Sequence, residues 1–170
     1  NWVDVATGTV TDRYFDLDTV LFNDAGAASN VVNVVTNVRP AAVFVNGASN
    51  YTLVGNGRIQ DRAGGATSIG KDGPGTLTAT TNESIATSTV QVDDGIVNFD
   101  GPTTGTALTK TGDSILNLNG AQNYGTLNAN AGTTKHSSAS RRCGRRCTDD
   151  NTTTTITFLV DVFVVVVVVV

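Results

Sequence analysis

Four groups of side chains are of the types that catalyse reactions, bind phosphate or hold metal. Residues 65–71 read GATSIGK, the first seven positions of a phosphate-binding loop, in which backbone N–H groups and a lysine wrap a phosphate chain. That pattern continues with a Ser or Thr hydroxyl for Mg²⁺; here Asp72 stands in its place, a carboxylate that repels phosphate. Asp93 and Asp94 form the one adjacent acid pair in residues 1–134. Carboxylates about 5 to 10 Å apart serve as acid and base or nucleophile in sugar hydrolysis. Their basic candidates, Arg58 and Arg62 (with Asp61), lie a coil or more away in sequence. Asp16 with Asp18, or Asp93 with Asp94, offer oxygen atoms to Ca²⁺, but the GGxGxDxUx repeat of calcium-binding rolls is absent. His136, Cys143 and Cys147 are the only histidine and thiols, and three soft ligands fall short of the four that structural zinc takes. No Ser-His-Asp or Cys-His set fits within residues 1–134, which contain no histidine. Each group also has a plainer reading as turn, repeat register or polar tail. The expectation is therefore no catalytic, cofactor-binding or metal-binding residue set, and no cofactor.

The elements that would position these groups are short strands. Val31-Val32-Asn33-Val34-Val35, Ala42-Val43-Phe44-Val45 and Tyr51-Thr52-Leu53-Val54 are runs of four or five β-branched, aromatic or aliphatic residues, punctuated by Gly, Asn, Asp and Pro40. Such spacing predicts an all-β fold. Charged residues are 15% of the chain, well below the roughly 25% of an ordinary domain, which argues against long amphipathic helices. Residues 1–134 hold six Lys/Arg against twelve Asp/Glu, a net charge of −6. An acidic body repels phosphate backbones, so nucleic acid is not an expected partner.

The second half repeats. IGKDGPGTLTAT (69–80) aligns with LTKTGDSILNLN (108–119) at an offset of 39 residues, matching Lys71 with Lys110, Gly73 with Gly112 and Leu77 with Leu116. Residues 92–96 (VDDGI) align with 129–133 (ANAGT) at an offset of 37. A period in the range of about 20 to 50 residues marks a solenoid or array. Two short strands per repeat cannot bury a face alone, whereas stacking coils about 4.8 Å apart pairs every backbone group around one core. The reading is a right-handed parallel β-helix (β-solenoid) over residues 1–134, with repeats at about 69–97 and 108–134. Leu77, Leu116 and Leu118 should point inward, and Asn and Thr should form ladders at inward or corner positions. A propeller, with four strands per repeat, is the second choice.

After about residue 134 the character changes. Residues 135–155 are polar, basic and low in complexity, and residues 156–170 are apolar and Val-rich. No further strand is evident near 133–140, and the Arg/Cys/Gly run has the composition of GC-rich codons read out of frame. The tail is expected to stand apart from the cooperative fold, as a frameshifted or artefactual end. Its fifteen apolar residues are short of the roughly 20 that span a bilayer as a helix, so no membrane span is expected in this chain. The chain has no Met and no leader pattern, and reads as a mature or internal fragment.

Residues 108–133, LTKTGDSILNLNGAQNYGTLNANAGT, resemble the autotransporter-associated β-strand repeat, LTKxGxGTLTLxGxNxYxG followed by an INAGTL-like strand. Lys110, Gly112, Leu116, Leu118, Gly120, Asn123, Tyr124, Gly125 and Gly132 occupy its marked positions. Residues 69–79 with 90–97 form a partial second copy. Asp113-Ser114 departs from the family's second Gly region, and no outer-membrane barrel follows in this sequence. The resemblance implies a β-helix passenger domain on the bacterial cell surface or secreted, a structural or adhesive module without catalytic residues. Its partners would be a host or neighbouring-cell surface, or a polysaccharide. The competing expectations are a carbohydrate-active β-helix lyase or glycosidase, and a plain extracellular matrix scaffold.

Overall fold

The chain turns at glycines. Gly47, Gly73, Gly95, Gly112 and Gly132 adopt φ between 67° and 141°, backbone that a Cβ disfavours. Each follows one strand and precedes the next, so the same corner recurs coil after coil. The computed structural model describes residues 2–3, 10–11, 14–80, 89–136, 156–160 and 163–166.

Strands on the two sides of this corner build two sheets. The first comprises β3 (Thr19–Asn23), β5 (Ala42–Asn46), β7 (Ser68–Asp72), β9 (Thr89–Val92), β11 (Thr103–Thr111) and β13 (Gln122–Ala129). The second comprises β4 (Val31–Asn33), β6 (Tyr51–Val54), β8 (Thr76–Ala79), β10 (Ile96–Phe99), β12 (Ile115–Leu118) and β14 (Thr133–His136). All neighbours among these strands pair in parallel. The chain is thus a β-solenoid, as expected, in which each coil gives one strand to each sheet. Two short strands upstream, β1 (Trp2–Val3) and β2 (Val10–Thr11), pair antiparallel. A short 3-10 turn over Asp24–Ser29 follows β3, with the Asn23 side chain accepting from Ala25 N at 3.1 Å.

Alternation fixes the core. Inward rows run along the axis: Val32, Leu53, Ala79, Phe99, Leu118 and His136 in one, and Tyr51, Leu77, Val97, Leu116 and Thr134 in the other. Leu77, Leu116 and Leu118 are fully buried, as their spacing predicted. Both rows turn polar at β14, with Thr134 and His136.

Two expectations are corrected. First, the 39-residue repeat is two coils with four strands, not one coil with two. Leu77 pairs with Val97 and Val97 with Leu116, steps of 20 and 19 residues. The four strands lie in two continuous sheets, which separates the fold from a propeller. Second, residues 133–136 do form a strand, in register with β12. Thr-Thr-Lys-His has no large apolar residue, yet Thr134 and His136 face inward and Lys135 outward. Beyond the linker, two short segments of the apolar tail pair at the end of the second sheet. β15 (Ile156–Val160) pairs in parallel with β14, and β16 (Phe163–Val166) folds back antiparallel on β15. The edge of β14 offers backbone groups that another strand can pair with. The basic linker from residue 137 onward, with Cys143 and Cys147, lies outside the described residues.

Candidate functional site

Polar side chains gather at the glycine corner because turns free backbone groups that the ladders do not use. Between the first and second coils, Asp24 accepts from Ala48 N at 3.2 Å and Ser49 N at 2.8 Å. Between the second and third, Asn50 Oδ1 accepts from Thr76 N at 2.8 Å. Lys71 is buried, and its Nζ donates to Asp72 O at 2.9 Å and Gly73 O at 2.5 Å. Between the fourth and fifth coils, Ser114 Oγ donates to Gly95 O at 2.5 Å. Lys110, also buried, donates to Gly112 O, to Ser114 O at 2.9 Å and to Ala131 O of the next coil at 2.8 Å. A Cβ at Gly95 would lie 2.9 Å from Lys71 Nζ, and one at Gly132 would collide with Lys110 Nζ. Each lysine therefore occupies the space under the corner glycine of the following coil. This accounts for the two-coil period: a coil with a lysine near the end of its first strand alternates with one that ends that strand in Val92 or Ala129.

The lysines sit under a line of acids. Burial pushes the Lys71 ammonium below its ordinary pKa, against the pull of Asp94, Asp72 and Asp24. Burial likewise brings Lys110 down to about 8, opposed by Asp113 and Asp93. Hydrogen bonds from Ser49 and Ala48 hold the Asp24 carboxyl below its usual range.

The adjacent acids serve turns. Asp94 accepts from its neighbour Gly95 N at 2.7 Å, and Asp93 from Gln91 Nε2 at 2.5 Å. Both stand at the corner between β9 and β10, while Arg58, Asp61 and Arg62 lie on the connection after β6. Asp16 accepts from Arg39 N at 2.8 Å and Tyr14 OH at 3.0 Å, and Asp18 from Phe15 N at 2.9 Å. Among the described residues, no group of three or more His, Cys, Asp or Glu is placed to hold a metal ion.

Residues 65–71 do not form a phosphate cradle. Thr67 is buried, donating from Oγ1 to Pro40 O at 2.7 Å and Gln60 O at 3.1 Å, while Asp61 accepts from its N at 2.8 Å. The next residues enter β7, which turns Lys71 inward. His136 continues the row of Leu118, and burial lowers its pKa. The sequence signal for the buried lysines was their shared register; their inward direction was missed, because charge normally marks a solvated face.

Side-chain ladders run between coils at the turns, as expected, and also on the outer face of the second sheet, where the expectation of inward placement is corrected. Asn117 Nδ2 donates to Asn98 Oδ1 at 2.7 Å, and Asn98 Nδ2 to Thr78 Oγ1 at 3.4 Å. In the turns that follow β10 and β12, Asn119 Nδ2 donates to Asp100 Oδ1 at 2.7 Å.

No protein-family model matches this chain, and neither a curated protein nor a solved structure matches it. Among the described residues, no helix is long and apolar enough to cross a membrane.

Proposed function

We propose that the chain is a non-enzymatic structural or adhesive segment of an exported bacterial surface protein, of the autotransporter-passenger type. The observation that carries this reading is the use of its polar residues. At the corner and on the outer faces they bond coil to coil, which supports a structural stack. The motif residues Lys110, Gly112, Leu116 and Leu118 add the family resemblance, and Lys110 and Gly112 have a structural use in that stack. Cell-surface placement follows from the same resemblance and is read by protease accessibility on intact cells.

The test pairs adhesion with turnover. Purified chain is assayed for attachment to cells and to immobilised polysaccharides, and the soluble fraction for new reducing ends or unsaturated sugars. Attachment without product is expected. Product formation that Asp93→Asn abolishes would instead establish the lyase or glycosidase alternative.

A further inference from the structure

The outer face of the first sheet carries a strip that stacking does not explain. Leu21 of β3 pairs directly with Phe44 of β5, and Phe44 with Gly70 of β7. Leu21 and Phe44 are 43% and 44% exposed. A Cβ on Gly70 would lie 2.7 Å from Phe44 Cδ1 and 2.9 Å from Cε1. The ring therefore lies across Gly70, packed on the glycine backbone and open to solvent elsewhere. Gln91 of β9, opposite Gly70, is exposed and continues the row.

Mostly polar rows border this strip, buried Ala42 being the exception. Asn23, Asn46 and Asp72 run along one side, all exposed, and Thr19, Ala42, Ser68 and Thr89 along the other. Successive rungs are about 4.8 Å apart. An apolar band one side chain wide, with amides and a carboxylate at its edge, matches the surface of a pyranose: C–H groups for the ring face, hydroxyls for the border. Charge narrows the choice. The adjoining corner exposes Asp24, Asp72, Asp93 and Asp94, and the ammonium facing three of them, Lys71, is buried beneath. Uronates and sulfated sugars are repelled by that line, and ammonium groups are attracted.

We propose that the strip formed by Leu21, Phe44, Gly70 and Gln91 binds a linear amino-sugar polymer with free ammonium groups, laid along the solenoid axis. This names a partner for the adhesive role proposed above and rests on that reading. The sugar rings stack on Phe44 and Leu21, Asn46 and Gln91 hydrogen-bond hydroxyls, and the corner carboxylates face the ammonium groups.

The experiment is calorimetry of the whole chain with three soluble hexasaccharides: β-1,4-linked glucosamine, its N-acetylated form and galacturonate. Glucosamine hexamer should bind, N-acetylated hexamer at least about tenfold more weakly, and galacturonate not at all. Salt at about 0.5 M should weaken the glucosamine complex, since exposed charges are then screened. Phe44→Ala should abolish binding, Phe44→Tyr retain it, and Asp72→Asn reduce it; a melting curve for each confirms folding. Equal binding of all three sugars, no binding of the glucosamine hexamer, or full binding by folded Phe44→Ala overturns the proposal. So does self-association of the chain that Phe44→Ala removes, because the strip is then a contact between copies. Cell attachment measured in parallel separates the two readings: attachment retained by a chain that binds no glucosamine hexamer refutes the strip and leaves the adhesive role standing.

Discussion

Lys110 is a buried base whose three hydrogen bonds all go to backbone carbonyls, one of them on the next coil. Its folded pKa is about 8, below the ordinary 10.5, because burial disfavours the ammonium. Between these two values the unfolded chain holds a proton that the folded chain has released, so stability rises with pH across that window. Below about pH 8 the full cost of the buried charge is present, at most about 3 kcal/mol for a shift of this size. The melting temperature should thus climb from about pH 8 to about pH 10, and Lys110→Met should flatten the climb. Above about pH 10 the three buried or half-buried tyrosines, Tyr14, Tyr51 and Tyr124, oppose it, since their raised pKa values favour the folded state's protonated form. Thermal melts of both proteins across that range decide the matter, and equal slopes would show that Lys110 is not the group responsible. Leu116 offers a simpler measurement. It is fully buried between Val97 and Thr134 in its row, so Leu116→Ala should cost about 2 to 5 kcal/mol in denaturant unfolding.

At the level of the coil, a corner glycine and a glycine on the connection between β6 and β7 differ in what surrounds them. Gly95 has φ 73°, and a Cβ there would lie 2.2 Å from Gly75 O and 2.6 Å from Gly73 O. Gly64 has nearly the same φ, 76°, but open space around the missing Cβ. Gly64→Ala should therefore cost only the left-handed backbone penalty, about 1 to 2 kcal/mol. Gly95→Ala should cost clearly more, because backbone of the previous coil must also move. Equal losses in chemical denaturation would mean that the corner is not packed coil on coil. The same corner shows how much was legible in the sequence. Leu77, Leu116 and Leu118 alternate with Thr or Asn, and their inward direction follows from a period of two. The single-coil period was hidden, because Lys71 and Lys110 occur only in every second coil and coil length drifts from 20 to 18 residues between β8 and β14. β14 escaped notice because its inward pair, Thr134 and His136, is polar. Of the candidate strip, the sequence displayed Phe44 and Gly70 26 residues apart, a separation that means nothing until β5 and β7 pair.

For the whole molecule, the remaining question is how the solenoid ends. Stability in a stack is carried by each coil and its neighbours, and the inward rows stay apolar through Leu116 and Leu118. Beyond them lie Thr134 and His136, so little apolar area remains for anything stacked on β14 to cover. β15 meets β14 over three paired residues, Thr134 with Ile156, Lys135 with Thr157 and His136 with Phe158. Deleting residues 137–170 should therefore shift the main melting transition by less than about 4 °C, the size that roughly 1 kcal/mol produces in a domain like this. The uncovered edge of β14 has its own protection, since the outward Lys135 puts a charge in the middle of the strand, and charged edges resist pairing with other chains. The segment removed contains seven consecutive valines at 164–170, the kind of uncharged β-prone run that drives cross-β assembly. Solubility of the shortened chain should accordingly increase, read as the protein left in the supernatant after centrifugation at matched concentration. A melting temperature lowered by more than that margin would identify β15 as a cap that the last coil requires, and the tail as a genuine part of the fold.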